Sequence, residues 1–186
     1  MPISGNENNF WTKAPSKDPK RSFRWKVNIG GQTIWYARKA EKPKFTLTES
    51  SHDFLMHKFY WPGKAEWNDV ELVLVDPVEP DLAGNLVQII AEAGYKIPAG
   101  VASAYTSISK ASALAATGGD IVIQQIDSED NVIEQWVLKH AWIREVTFGD
   151  LDYTSEDLTE VTMRIRYDWA EFSNPAAGTN DIFRPS

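Results

Sequence analysis

At 186 residues, with 42% hydrophobic residues that include eight Trp, eight Phe and six Tyr, the chain suffices for one domain with a substantial core, and wholesale disorder is excluded. It has no cysteine, which excludes disulfide stapling, thiolate catalysis and Cys-ligated metals. A net charge of −7 argues against a dedicated nucleic-acid binder, and neither a signal pattern nor a run of roughly 20 apolar residues is present, so no membrane span is expected. The charge is unevenly placed. Met1 to Tyr60 holds eleven Lys/Arg against five Asp/Glu, or +6, and the remainder holds eight against twenty-one, or −13. That split is either chance surface composition or the mark of a polar molecule whose basic part meets the acidic part of a neighbour.

In chain order, residues 1–21 are polar and punctuated by Pro2, Pro15 and Pro19, and read as an N-terminal arm. From Phe23 the pattern has period two: Phe23, Trp25, Val27 and Ile29 alternate with Arg24, Lys26 and Asn28, the signature of a half-buried strand. Gly30-Gly31 predicts a tight hairpin turn, and the chain returns as Ile34 to Ala40. Beyond Pro43, Phe45 and Leu47 are expected to face the core, with Thr46, Thr48 and Ser50 opposite. Phe54 to Trp61 reads as a strand apolar on both faces (Phe54, Met56 and Tyr60 against Leu55, Phe59 and Trp61), and such a strand needs cover on both sides. Pro62-Gly63 ends it, and Trp67 to Val75 forms the next. Asp81 caps a helix whose apolar face is Leu82, Leu86, Ile89, Ile90 and Ala93 and which stops at Gly94. The Ser109 to Ala116 part of an Ala/Ser-rich stretch suits a short helix within a long loop. Strands are expected at Ile121 to Ile126, Val132 to Val146 (bent) and Leu158 to Trp169, followed by a Pro/Gly/Asn-rich tail. The fold class is mainly β: an antiparallel β-sandwich with barrel-forming hairpins and one flanking α-helix, divided as arm 1–21, β domain 22–171 and tail 172–186.

The catalytic inventory is thin, and no enzyme activity, metal or other cofactor is expected. His52, His57 and His140 lack the spacing that sets two imidazoles on one metal. Ser51-His52-Asp53 contains triad residue types, but neighbours on a strand point to opposite faces. Asp127 to Asn131 has the carboxylate density of a calcium loop without its central Gly and distal Glu, and reads as a solvated hairpin turn. Gly118-Gly119 opens a strand and so is no phosphate cradle. Trp25, Trp67, Trp136 and Trp169 lie in alternating strands, where core packing is the default. A carbohydrate-stacking platform is the alternative reading of so many tryptophans.

Two stretches carry a family resemblance. One is Phe59-Tyr60-Trp61-Pro62-Gly63-Lys64-Ala65-Glu66-Trp67-Asn68-Asp69-Val70 with the strand that ends at Asp76. The other is Glu134 to Leu138, Ala141-Trp142, Asp150 to Tyr153 and Arg166-Tyr167-Asp168-Trp169. In this order, over about residues 22 to 171, they resemble the tail tube protein of T-even-like contractile-tail phages and related contractile injection systems. The resemblance implies a structural subunit, not an enzyme: a β-sandwich with a flanking helix, six copies of which close a ring through hairpins joined into a continuous β-barrel. Rings stack head to tail inside a sheath, between a baseplate or tube initiator and a tail terminator, and DNA or effector passes through without specific binding. The location implied is the virion tail, assembled in the host cytoplasm. On this reading a hairpin over Lys39 to Trp61 lines the lumen with Thr46, Thr48 and Ser50, and Phe54, Met56, Phe59, Tyr60 and Trp61 form the inter-subunit barrel strand. Lys17, Lys20 and Arg21 of one ring then meet Asp127, Glu129 and Asp130 of the next.

Overall fold

A computed structural model describes residues 19–97, 107–175 and 179–182. The chain is mainly β and antiparallel, in two packed sheets with a two-stranded ribbon projecting from one of them. Twelve strands are described: β1 (Trp25–Ile29), β2 (Gln32–Thr33), β3 (Ala37–Ala40), β4 (Phe45–Phe54), β5 (His57–Trp67), β6 (Val70–Val75), β7 (Ile121–Ile126), β8 (Val132–Lys139), β9 (Trp142–Phe148), β10 (Glu160–Arg166), β11 (Trp169–Asn174) and β12 (Thr179–Ile182). Helices α1 (Leu82–Glu92) and α2 (Lys110–Thr117) lie between β6 and β7. The larger sheet has the order β12-β11-β8-β7-β1-β2 and the smaller β3-β6-β10-β9; β4 and β5 pair only with each other.

The core follows from period two. Val70, Leu72 and Leu74 of β6 and Val161, Met163 and Ile165 of β10 are buried between the sheets against Val27, Ile121, Ile123 and Leu138, while Glu71, Arg164 and Arg166 point away. Trp25, Trp67 and Trp136 pack at the margin of this cluster. Trp169 is half-buried and meets the His140 ring edge-on at 4.8 Å. Helix α1 begins where expected, with the Asp81 side chain accepting from the Gly84 N–H at 3.0 Å, and sends Leu82 and Leu86 into the core. The second helix exists as a full element, capped by Ser109 on the Ser112 N–H at 3.1 Å, so two helices flank the sheets instead of one.

Several strands that read as continuous are divided at corners where the chain crosses from one sheet to the other. After the Gly30-Gly31 turn, both glycines at positive φ, β2 lasts two residues, and β3 then joins the opposite sheet. Val132 to Val146 breaks at His140, whose φ is +55°, so β8 and β9 belong to different sheets. Leu158 to Trp169 likewise becomes β10 and β11, with Tyr167 buried at the corner. Burial pushes its hydroxyl up to about 12. The chain beyond Glu171, read as tail, continues β11 to Asn174 and adds β12.

Candidate assembly surfaces

The hairpin β4–β5 is the longest exposed run of the described chain. Every residue from Phe45 to Glu66 is exposed, and only Trp67, at its root, is half-buried. Ten residues at roughly 3.3 Å each give a ribbon about 33 Å long. Its position corrects three expectations. It spans 45–67 instead of starting at Lys39, because the chain uses Ala37–Ala40 as β3. The strand read as Phe54 to Trp61 contains the reversal itself, at Leu55-Met56, with Leu55 at φ +55°. A turn built without Gly, Asn or Pro gives no sequence signal. Pro62-Gly63, read as a stop, lies inside β5 at a bulge in which Gly63 and Lys64 oppose Thr48, the place where an edge strand tolerates both residues. Separately, Trp67 to Val75 is interrupted at Asn68-Asp69.

Cross-strand register fixes which side chains share a face. Phe45 faces Trp67 and Leu47 faces Ala65; further out Ser51 faces Tyr60 and Asp53 faces Lys58, all on one side. The other side carries the Thr46–Glu66, Ser50–Trp61, His52–Phe59 and Phe54–His57 pairs, with Thr48 against the bulge. Phe45 and Leu47 do not enter the core as expected. Phe45 leans on Trp67 with ring centroids 5.2 Å apart, and Leu47 is exposed. Thr46, Thr48 and Ser50 lie together on the opposite side, so their relative placement follows the alternation. The same side becomes aromatic towards the tip, where Trp61 lies 6.5 Å from Phe59 and 6.3 Å from His52. Phe54, Met56, Phe59, Tyr60 and Trp61 are each half or more exposed. Ser51 and Asp53 point away from His52, so these three form no relay.

The root of this ribbon is fixed by charge. On the sheet beneath it, Glu134 is buried to 6% exposure. It accepts from Lys42, in the β3–β4 connection, at 2.6 Å, from the Trp136 indole at 2.8 Å, and from Lys20. Burial pushes the Glu134 carboxyl up, but these three donors outweigh it and hold it at about 2. At the β5–β6 end, Asp69 accepts from Arg166 at 2.9 Å and from Arg144. Burial raises its pKa, and the two guanidinium groups bring it below the ordinary carboxylate value. Sequence reasoning assigned Glu134 and Asp69 no such role, because their charged partners lie about 75 to 114 positions away.

Lys20 is engaged with Glu134, and Asp130 with Lys26 at 2.6 Å. Asp127 holds its own turn through the Glu129 and Asn131 N–H groups. Glu129 is exposed, Arg21 contributes its carbonyl to Gln125 at 3.1 Å, and Lys17 lies outside the described residues. The acidic turn therefore closes the β7–β8 hairpin, as expected of it. His140 accompanies Lys110 on Asp168, and among the described residues no group of three or more His, Asp or Glu is arranged to hold a metal. An apolar cavity of about 270 Å³ between the sheets beneath α1 is lined by aliphatic side chains such as Ile34, Leu86 and Met163, with Tyr36 at its side.

The smaller sheet also has two open edges. Among the described residues no strand pairs with the outer side of β3 or of β9. An exposed, partly apolar ribbon and open sheet edges are surfaces that can accept another strand. No protein-family profile matches the sequence, and comparison with curated proteins finds no match. Solved structures do match. The fold is shared with chains of contractile injection systems. A chain from the extracellular contractile injection system PVC sheath-tube complex in its extended state superposes with TM-score 0.61 at 15% identity, covering 92% of this chain and 99% of that one. One from the tube-terminating cap of the anti-feeding prophage gives 0.63 at 15% identity, over 84% and 92%. Another, from the 6-fold symmetrised baseplate of the same system, gives 0.62 at 14%, over 84% and 97%. At such identities the likeness is one of fold.

Proposed function

We propose that this chain is a structural subunit of a phage-type or injection-system tail tube, assembling as six-membered rings stacked head to tail into a hollow conduit. The observation that carries the reading is the β4–β5 ribbon: about 33 Å of strand with aromatic side chains and no cover among the described residues. A monomer that kept this surface in water would aggregate, whereas a ring that buries it against the next copy closes the sheet edges as well. The sixfold arrangement rests on the fold shared with a chain of a 6-fold symmetrised baseplate.

In the ring, the side of the smaller sheet turned away from the larger one faces the lumen, continued along the ribbon by Thr46, Thr48 and Ser50. Phe54, Met56, Phe59, Tyr60 and Trp61 meet the neighbouring subunit. Small hydroxyls suit a wet passage for DNA or effector, since a dense lysine lining would trap a polyanion. Sheath, baseplate or initiator and terminator proteins are the further partners, and the tail is the location. Charge makes a smaller contribution to ring stacking than a count of residues suggests, with Lys20 and Asp130 engaged inside the chain.

Negative-stain microscopy and size-exclusion chromatography of the purified protein test the reading: rings or rods are expected. A monomer at all concentrations that instead binds glycans would replace it with the carbohydrate-binding alternative. Nothing in the geometry favours that alternative: among the described residues the exposed tryptophans are Trp35, in the β2–β3 connection, and Trp61, in β5.

A further inference from the structure

Protein interiors are packed to near the density of organic crystals, with few voids larger than a water molecule. The space of about 270 Å³ beneath α1 departs from that rule. Leu74 of β6, Leu86 of α1, Ile121 of β7 and Met163 and Ile165 of β10 form its walls, and each of them is at most 3% exposed. On another side the lining is Gly30, Ala116 and Gly118, whose side chains are too short to fill the gap. Gly118 has no room to become larger, since its φ is +75° and a Cβ there would stand 2.6 Å from the Gly30 Cα. One lining hydroxyl, that of Thr117, is occupied with the Ala141 carbonyl at 2.7 Å. The polar groups that remain are Gln32 and Asn85, both exposed at the mouth, and the half-buried Tyr36. None of these three side chains is hydrogen-bonded to another described residue. Burial raises the Tyr36 pKa, which keeps its hydroxyl a donor at neutral pH. No charged side chain is among the described residues that line the space.

From this we infer that the space is a binding site for a small neutral amphiphile, its apolar body held between α1 and the two sheets and its one uncharged, hydrogen-bonding head at Gln32 and Asn85. An apolar lining with a few convergent polar groups is the general composition of small-molecule sites. The size of the body follows by proportion: a dry cavity of about 150 Å³ lined by Leu, Ile and Phe takes up benzene, so this one suits about ten carbon atoms. Such a body makes the dispersion contacts that facing walls forgo across an empty gap. The head is uncharged because no lining group offers it an opposite charge, and a carboxylate or phosphate drawn to the mouth would lose hydration without compensation. The site lies within a single copy. It therefore goes beyond the tube reading and is present in monomer and ring alike.

Methionine supplies both the probe and its control. The chain has three, of which Met163 lines the cavity and Met56, at the hairpin tip, is 96% exposed. The full chain labelled at its methionine methyl groups is titrated by NMR with octanol and, separately, with octanoate. The Met163 methyl signal is expected to move with octanol until it saturates, while Met56 stays in place. Octanoate has the same length but a charged head and should bind several-fold more weakly. A Met163 signal that octanol never moves would overturn the site. Met56 and Met163 moving together without saturation would show partition onto exposed apolar surface, and would overturn it equally. Octanoate binding as tightly as octanol would refute the uncharged head. In a separate arm, Ala116→Leu extends a side chain from α2 into the space and should abolish octanol binding while raising the unfolding midpoint. A folded Ala116→Leu protein that binds octanol unchanged would place the probe elsewhere and refute the assignment. If that variant does not fold, the titration of the parent chain still decides.

Discussion

The sandwich body and the projecting hairpin are built from similar strands but end in opposite environments. In the body, β6 and β10 place Val70, Leu72, Leu74, Val161, Met163 and Ile165 in a common interior, each at most 2% exposed. In the hairpin, Phe45, Leu47, Phe59 and Trp61 follow the same alternation and remain 45% exposed or more. Alternation decides which side chains share a face; it does not decide whether anything lies against that face. In the body the second layer comes from the same chain, and in the hairpin, on the reading proposed above, it comes from another copy. The two regions should therefore respond to substitution in opposite ways, folding stability being sensitive in one and assembly in the other.

The largest expected effect is on the hairpin. Phe59→Ser with Trp61→Ser should abolish ring formation while shifting thermal unfolding of the isolated chain by no more than the few degrees that about 1 kcal/mol represents. Paired sedimentation and calorimetry check this. A variant that still forms rings would break the comparison, and one that unfolds would show that the tip supports the body.

How much of this was legible in the sequence depends on the distance over which each feature is determined. The Gly30-Gly31 turn, the Asp81 cap of α1 and the inward faces of β1, β6 and β10 are set by residues within a few positions of one another, and the pattern shows them. The corners at His140 and Tyr167-Asp168 keep the strand period nearly intact while moving the chain to a different sheet, so periodicity runs through them without a mark. The Leu55-Met56 reversal has no turn chemistry, and the aromatic content around it suggested one continuous strand where the chain turns back from β4 into β5. At the candidate surfaces, Thr46, Thr48 and Ser50 were separable from Phe45 and Leu47 by alternation alone. The ion pairs that link Lys39, Glu71, Arg164 and Glu145 were not visible, since these residues come from four strands spread over more than a hundred positions.

In the body the effect falls on stability. Leu72→Ala should cost about 2–5 kcal/mol, the range for a buried large-to-small change, read as a lowered denaturation midpoint. Trp67→Ala should cost about 3 kcal/mol, at the lower end for a tryptophan because its ring is half-buried. Trp169→Ala should cost less again, since Trp169 lies outside the central cluster and its indole N–H is buried without a partner. If both tryptophan variants melt like the parent, their packing role is refuted.

A smaller effect is expected where body and hairpin meet. Glu134 is held at about 2 against its ordinary 4.5, so its donors stabilise the folded state at any pH above about 4.5. That contribution is lost as pH falls through the range from 4.5 towards 2. Glu134→Gln should cost about 2 kcal/mol at neutral pH, the value of hydrogen bonds to a charged group, and almost nothing near pH 2. Urea melts at pH 7 and pH 2.5 compare the two proteins. An equal gap at both values would mean that charge at Glu134 does not fasten the hairpin root.

The smallest effect is the most informative about which side of the hairpin stays wet. The Thr48 hydroxyl accepts the Lys64 N–H at 2.8 Å across the bulge, and the close fit there is such that a Cβ on Gly63 would stand 2.4 Å from that oxygen. Thr48→Val keeps the shape and removes the acceptor. In the isolated chain Thr48 is exposed, so water takes over the N–H, and the loss should be about 0.5 kcal/mol, the low end for a net hydrogen bond. Assembly leaves that figure unchanged if Thr48 faces a water-filled lumen. It raises the figure to about 1–3 kcal/mol if a neighbour covers the residue, because the orphaned N–H is then buried without a partner. Denaturant midpoints of the free chain and of assembled rings, each with and without Thr48→Val, separate the two cases. A small and equal shift in both is expected. A shift confined to the rings would place Thr48 in the subunit interface and transfer the lumen wall to the opposite side of the hairpin, where Ser51, Asp53 and Lys58 are the polar groups available.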